Sequence, residues 1–229
     1  FFFVLSTTMS VSAQRLPLLH GSCDVDDSQL QAAFGTQAPE DNVHHYRQWS
    51  ATYDQDVADY GYLSPLHSVE ALRMHFCNLN GRVLDVGCGT GLVGELLKHY
   101  PAFTHVEGAD ICKEMLAKAA SKKLYSDLFR ADLTKRIGVE DGAYNAIICV
   151  GTFTLGHVGR DALCELLRCT AVGGIVVVSV NAGVWFDEEY EGYLKTLQDA
   201  DVCTILEMKK VTLIRQPYNE GFIVTLRRA

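Results

Sequence analysis

Two carboxylates and a run of glycines carry the chemistry visible in this sequence. Asp85 stands two residues before Gly87 in V-L-D-V-G-C-G-T-G-L-V-G, residues 83–94, and Asp110 follows about twenty residues after the glycines. Glycine permits a positive φ and a close approach of backbone to ligand. An acid beside such a turn favours a ligand bearing an ammonium group over a pyrophosphate. An acid about 20 residues further on stands where mononucleotide-binding units meet a ribose hydroxyl. A carboxylate can accept from both ribose hydroxyls, so any adenosine-containing cofactor would use it. The glycines also allow other readings. Gly89, Gly91 and Gly94 satisfy G-x-G-x-x-G, the dinucleotide fingerprint, and a glycine-rich β-α turn can also bind nothing.

The elements that must hold these residues follow from hydrophobic patterning. Val83, Leu84 and Val86 form a short apolar run, the mark of a buried parallel strand. Leu92, Leu96 and Leu97 recur at helical spacing after Gly91. Strand, glycine turn and helix together make a crevice at the carboxyl end of the strand. Further strands are expected at 105–110, 128–133, 144–151 and 175–180, with helices at 113–122 and 160–170. Asp110 could instead serve as a cap for the helix at 113–122. Two strand-like runs, 204–214 and 221–227, close the chain as a hairpin. Upstream, Tyr46, Trp49, Tyr53 and Val57 share one face of a helix over 43–59. Ser64 and Pro65 read as the N-cap and first residue of another helix that stops at Asn80-Gly81. Residues 21–42 are polar and acidic and are expected to be loosely ordered, apart from a short helix near 28–34.

The chain has 229 residues, a net charge of −8 and 48% apolar residues. Its basic residues gather only in short pairs, which argues against nucleic acid as the main partner. Eight cysteines occur without a C-x-x-C pair, so no metal site is expected. They read as reduced, buried residues of an intracellular protein, cytoplasmic or nuclear. Residues 1–20 are left outside the fold, with Met9 as a possible start. No run approaches the ~20 apolar residues of a membrane helix. The chain is expected to act as a monomer.

The D-x-G-x-G-x-G pattern, with its strand and helix, resembles the cofactor loop of class I S-adenosylmethionine-dependent methyltransferases. Within that class, Y-R-Q-W-S-A-T-Y-D-Q-D-V at 46–57 together with the glycine loop resembles the methyltransferase-like family of the Williams–Beuren syndrome chromosome region, over about 43–183. The resemblance implies an α/β, Rossmann-like seven-stranded sheet, mostly parallel with an antiparallel last strand. Helices would cover both faces, with a helical lid at 43–80, an α/β core at 81–229 and a poorly ordered segment at 1–42. It implies S-adenosyl-L-methionine as cofactor and methyl transfer to an acceptor, small molecule or protein; the alternatives are a non-catalytic protein that keeps the fold to bind the cofactor or a partner, and then an NAD-dependent oxidoreductase.

The resemblance also implies residue roles. Asp85 would orient the ammonium end, while the backbone of Gly87, Cys88, Gly89 and Gly91 approaches the methionine part. Asp110 would hold the ribose, flanked by Ile111 and Met115. Asp132 and Leu133 match the adenine positions, and Val150 lies where the fourth strand faces the transferring methyl. Tyr46, Arg47 and Tyr53 would reach the methionine end from the lid. His157, in G-H-V-G, is the candidate base. Cys149 reads as a buried thiol, because no paired His accompanies it. Tyr-x-x-x-Lys, the mark of single-domain nicotinamide oxidoreductases, is absent, as is the P-loop pattern.

Overall fold

The computed structural model describes residues 26–35, 39–76, 78 and 80–229. Its centre is a seven-stranded sheet in the order β3-β2-β1-β4-β5-β7-β6. The strands are β1 (Arg82–Val86), β2 (His105–Asp110), β3 (Asp127–Arg130), β4 (Tyr144–Phe153), β5 (Thr170–Asn181), β6 (Cys203–Ile214) and β7 (Asn219–Arg228). β1 to β5 pair in parallel. β7 runs antiparallel to both neighbours and lies between β5 and β6, so the last strand is the antiparallel one. The strand order reverses at β1, flanked by β2 and β4. A crevice therefore opens beyond its carboxyl end.

Alternation along the strands divides the core in two. Val83, Ile148, Val150, Ile175 and Val177 face one side. There the sheet packs under α4 (Ser64–His75), α5 (Leu92–Leu97) and the N-terminal helices α1 (Ser28–Gly35), α2 (Pro39–Trp49) and α3 (Tyr53–Asp59). Leu84, Val86, Ile147, Cys149 and Val178 face the other, against α7 (Ala162–Cys169), α8 (Ala182–Asp187) and α9 (Tyr190–Asp199). α6 (Lys113–Lys122) packs along β2 and β3.

Some expectations are corrected. The single helix over 43–59 is two helices, broken at 50–52. The Trp49 indole N–H and the Thr52 hydroxyl both donate to Asp56 Oδ2 at 2.7 Å. Such local side-chain bonds compete with a continuous helix. Tyr46, Trp49 and Tyr53 still cluster, with ring centroids 4.7–6.1 Å apart. Ser64 is the first helical residue rather than the cap, which is Leu63. α4 ends at His75, short of Asn80-Gly81, because Phe76 turns extended and stacks on Phe103, 5.8 Å between centroids. Among the described cysteines Cys164 is exposed, and the other five are buried. The readings placed on residues 1–25, on 36–38 and on Cys77 lie outside the described residues. Within 26–42 the chain is helical at α1 and again from Pro39.

Candidate active site

The glycine loop leaves β1 with Gly87, Gly89 and Gly91 at φ of +72°, +54° and +98°. At Gly87 a Cβ would also collide with the Thr152 hydroxyl. The loop is tied back to the end of β2. The Gly87 and Cys88 amides donate to the Ala109 carbonyl at 2.8 and 3.0 Å, and the Gly89 amide to Asp110 Oδ2 at 2.8 Å. The Gly91 amide donates to the Cys88 carbonyl at 2.9 Å. These donors already have acceptors, unlike the converging free amides of a phosphate cradle. Gly94 serves packing, since a Cβ there would press on the Tyr125 ring at 2.7 Å.

Three carboxylates stand at the strand ends. Asp110 accepts at Oδ1 from the Cys112 amide and at Oδ2 from the Gly89 amide, both at 2.8 Å. Burial pushes its carboxyl up, and these backbone bonds oppose the rise. Asp85 is 0% exposed. Its Oδ2 accepts from the Tyr125 hydroxyl at 2.7 Å, while Oδ1 has no partner among the described residues. Burial lifts Asp85 to about 7, opposed by the Tyr125 bond and reinforced by the charge of Asp110. Asp132 is fixed by Thr134, whose hydroxyl donates at 2.6 Å, and by Lys135 at 2.8 Å. Burial acts to raise this carboxyl, but the bonds from Lys135 and Thr134 outweigh it and hold it low.

A cavity of about 140 Å³ lies over these strand ends. It brings together Gly87, Gly89, Asp110, Ile111, Met115, Asp132, Leu133 and Val150 from the core with Tyr46, Tyr53 and His157. Four expected residues are not on its wall. Asp85 sits behind the loop, fully buried. Cys88 turns its sulfur toward Gly108, and Gly91 packs on Tyr125 and Leu124. Arg47 points outward, its side chain 61% exposed, and pairs with Glu114 at 3.1 Å, joining α2 to α6. Gly151 and Thr152 line it from the end of β4, and Asn42 lines it although no sequence motif marks it. Asn42 falls in the acidic stretch read as loosely ordered, and its amide donates to the Gly156 carbonyl.

The N-terminal helices are clasped to the loop. The Thr90 hydroxyl, between Gly89 and Gly91, donates to Asp54 of α3. Lys122 joins Asp54 at 2.6 Å to Glu95 of α5 at 2.8 Å. His157 Nδ1 lies 2.7 Å from the Leu155 carbonyl, and Nε2 lies 3.1 Å from the Tyr46 hydroxyl. A carbonyl only accepts, so Nδ1 carries the proton and Nε2 accepts from Tyr46. Burial pushes the imidazole below its usual range. Among the described residues no group of three or more His, Cys, Asp or Glu could hold a metal, and no helix is long and apolar enough to cross a membrane.

Residues 83–174 match the family described as a methyltransferase domain. The chain is 31% identical over 186 residues to human methyltransferase-like protein 27, covering 79% of this chain and 75% of that one. The [4+2]-cyclase SpnF shares the fold, with a TM-score of 0.64 and 18% identity over 84% of this chain and 97% of the other. So does a chain of the complex between the Haloferax volcanii Trm112 methyltransferase activator and its methyltransferase, with a TM-score of 0.61 and 15% identity over 80% and 97%. The inserted antiparallel β7, the acid-glycine loop and these likenesses define a class I methyltransferase, an enzyme that transfers a methyl group and whose fold and family imply S-adenosylmethionine as donor. Within that class, the chain belongs to the family of methyltransferase-like protein 27.

Proposed function

We propose that the cavity over β1, β2 and β4 holds S-adenosyl-L-methionine, and that the enzyme methylates a small-molecule acceptor. The observation that carries this reading is Asp110, a half-buried carboxylate on the cavity wall whose oxygens accept the Gly89 and Cys112 amides. Each oxygen keeps a further lone-pair site, so the pair can receive both hydroxyls of a ribose. Asp132 and Leu133, at the far end of the wall, suit an adenine ring. The backbone of Gly87 and Gly89 lies on the wall where the methionine part would approach. Asp85, behind Gly87, contributes negative charge there through its unpartnered oxygen rather than by lining the wall. Tyr46 and Tyr53 line the cavity with aromatic rings, whose faces attract cationic groups.

When bound, the cofactor supplies an electrophilic methyl on a sulfonium centre. The chain's own part is to orient, to exclude water and to move a proton. Holding two reactants in line accounts for roughly 7–11 kcal/mol of barrier lowering. Tyr46 can take a proton from the acceptor as its own passes to His157 Nε2. Residues 43–80 act as the lid and residues 81–229 as the core. The satisfied loop amides speak against a dinucleotide pyrophosphate, and the net charge of −8 against nucleic acid as acceptor.

The test is isothermal titration with S-adenosylmethionine, S-adenosylhomocysteine and NAD, using wild type and Asp110→Ala. Hydrogen bonds to a charged group contribute about 1.5–3 kcal/mol each. The variant should therefore weaken the first two ligands by at least about 10-fold. Binding of NAD alone would overturn the assignment.

A further inference from the structure

We propose that a second cavity, beneath the lid and beside the first, receives the methyl acceptor, and that this acceptor is a small uncharged molecule of about one ring carrying a single hydroxyl-type nucleophile. This inference rests on the methyl-transfer reading above and adds the class of acceptor to it.

The two cavities share a wall. Tyr46, Tyr53 and Gly151 line both. Gly151 lies at the carboxyl end of β4 with φ +74°, and the Tyr62 hydroxyl lies 2.6 Å from where its Cβ would be. Among the described residues, two tyrosine rings and this glycine therefore stand between the spaces. Trp49, Tyr60, Tyr62 and Phe153 extend the aromatic lining, with Leu213 and Ile214 adding aliphatic surface. Leu30 of α1 also contributes to the wall.

Charge and size narrow the occupant. Among the described residues, no Asp, Glu, Lys, Arg or His lines this space. A carboxylate, phosphate or ammonium group would enter without an ionic partner, and an unpaired charge in such surroundings is strongly disfavoured. Besides the tyrosine hydroxyls and the Trp49 indole N–H, the polar groups present are neutral too: Ser64, Thr154, Ser179, Asn181 and Asn219. Most are engaged. Ser179 Oγ accepts from the Gly151 amide at 2.9 Å, and the Asn181 amide donates to Asn219 Oδ1 at 3.0 Å. Thr154 differs, for it is 8% exposed and its hydroxyl has no hydrogen-bond partner among the described residues. An orphaned buried hydroxyl on a cavity wall calls for a polar group on the occupant. The space measures about 60 Å³. That is well under the roughly 150 Å³ of an engineered cavity that holds benzene, so the occupant is compact, at most one small ring.

Tyr46 completes the argument, since it borders both spaces and donates to His157. In the transfer the acceptor oxygen forms the bond to carbon and the carbon–sulfur bond breaks, its electron pair staying on sulfur. The acceptor's proton leaves through Tyr46 Oη as the Tyr46 proton moves to His157 Nε2.

The experiment titrates four matched rings into the full chain: phenol, benzoate, phenyl phosphate and benzylamine. Ligand-observed NMR reads each Kd with and without S-adenosylhomocysteine, whose own binding is measured in parallel. Phenol should bind at least 10-fold more tightly than the three charged rings. Thr154→Val should weaken phenol about 3- to 10-fold, the worth of one neutral hydrogen bond, and leave S-adenosylhomocysteine binding unchanged. Equal or tighter binding of any charged ring would overturn the proposal, as would indifference of phenol to Thr154→Val. If S-adenosylhomocysteine binds and no ring does, the small acceptor is refuted and a protein side chain takes its place. If phenol binds and S-adenosylhomocysteine does not, the cavity stands and the methyl-donor assignment fails.

Discussion

Asp85→Asn should stabilise this protein at neutral pH while impairing cofactor binding. Asp85 is 0% exposed and accepts one hydrogen bond, from Tyr125 at 2.7 Å. Its carboxyl rises from 3.8 to about 7 in the fold, with burial the leading cause. That is about three units, or about 4 kcal/mol at 1.36 kcal/mol per unit. The direction is the reverse of the usual salt-bridged carboxylate. Below pH 3.8 both folded and unfolded chains hold the proton, and the group contributes no penalty. Between 3.8 and about 7 the folded chain retains the proton that the unfolded chain has released, so stability falls as pH rises. Above about 7 the full penalty is present. Asparagine keeps an oxygen for Tyr125 and does not titrate. Urea unfolding of wild type and variant at pH 5, 6, 7 and 8 isolates this difference from the other groups. The stability difference should move in favour of the variant by about 2.5 kcal/mol from pH 5 to pH 8. A difference that stays flat to within about 0.3 kcal/mol would mean that Asp85 is ionised throughout, as a solvated carboxylate is, and would refute the burial argument. A more stable protein that binds S-adenosylmethionine less well is the usual exchange at a functional carboxylate.

Two further predictions concern the proton path and the far face of the sheet. Tyr46→Phe should lower kcat roughly 10²-fold while leaving the Kd for S-adenosylhomocysteine within about threefold. In wild type, the acid limb of the kcat profile should lie below pH 6.5, because burial lowers the His157 imidazole from that value; a limb above 6.5, or a Tyr46→Phe enzyme of full activity, would remove both residues from the path. Arg168→Met should destabilise by about 1–3 kcal/mol, the cost of leaving the Glu165 carboxylate and two carbonyls without their donor. The Arg168 side chain is 13% exposed, pairs with Glu165 at 2.6 Å, and donates to the carbonyls of Ile137 and Val139 at 3.1 and 3.0 Å. A loss under about 1 kcal/mol in denaturant unfolding would show that solvent screens the network.

Much of the architecture is legible in the amino-acid sequence. The runs at 83–86 and 144–151 are strands because near-continuous apolar residues can be satisfied only between two covered faces. Val-Leu-Asp-Val followed by closely spaced glycines specifies a strand, a turn with positive φ and a helix, and all three are present. Asp110 stands at the end of β2, where its spacing from the glycines puts it. These features depend on backbone conformation and local burial, which residue type records directly. The break between α2 and α3 is not legible, because the apolar period runs unbroken through 46–57. Only the bonds from Trp49 and Thr52 to Asp56 interrupt the helix.

The sequence by itself determined the fold class, the strand-loop-helix unit and the acids at the strand ends. Tertiary structure decided which of those residues face the shared space. Gly94 belongs to the fingerprint by spacing, yet it is there for the Tyr125 ring. Arg47 stands one position from Tyr46 but turns outward to Glu114, while Tyr46 turns inward to His157, 111 residues away. The second cavity is built from α1, residues 46–64, β4, β5 and the β6–β7 hairpin. Periodicity reports that a side chain is buried and not which distant side chain it meets; that is set by the packing of elements far apart in the chain, and the wall between the two cavities exists only once they have packed.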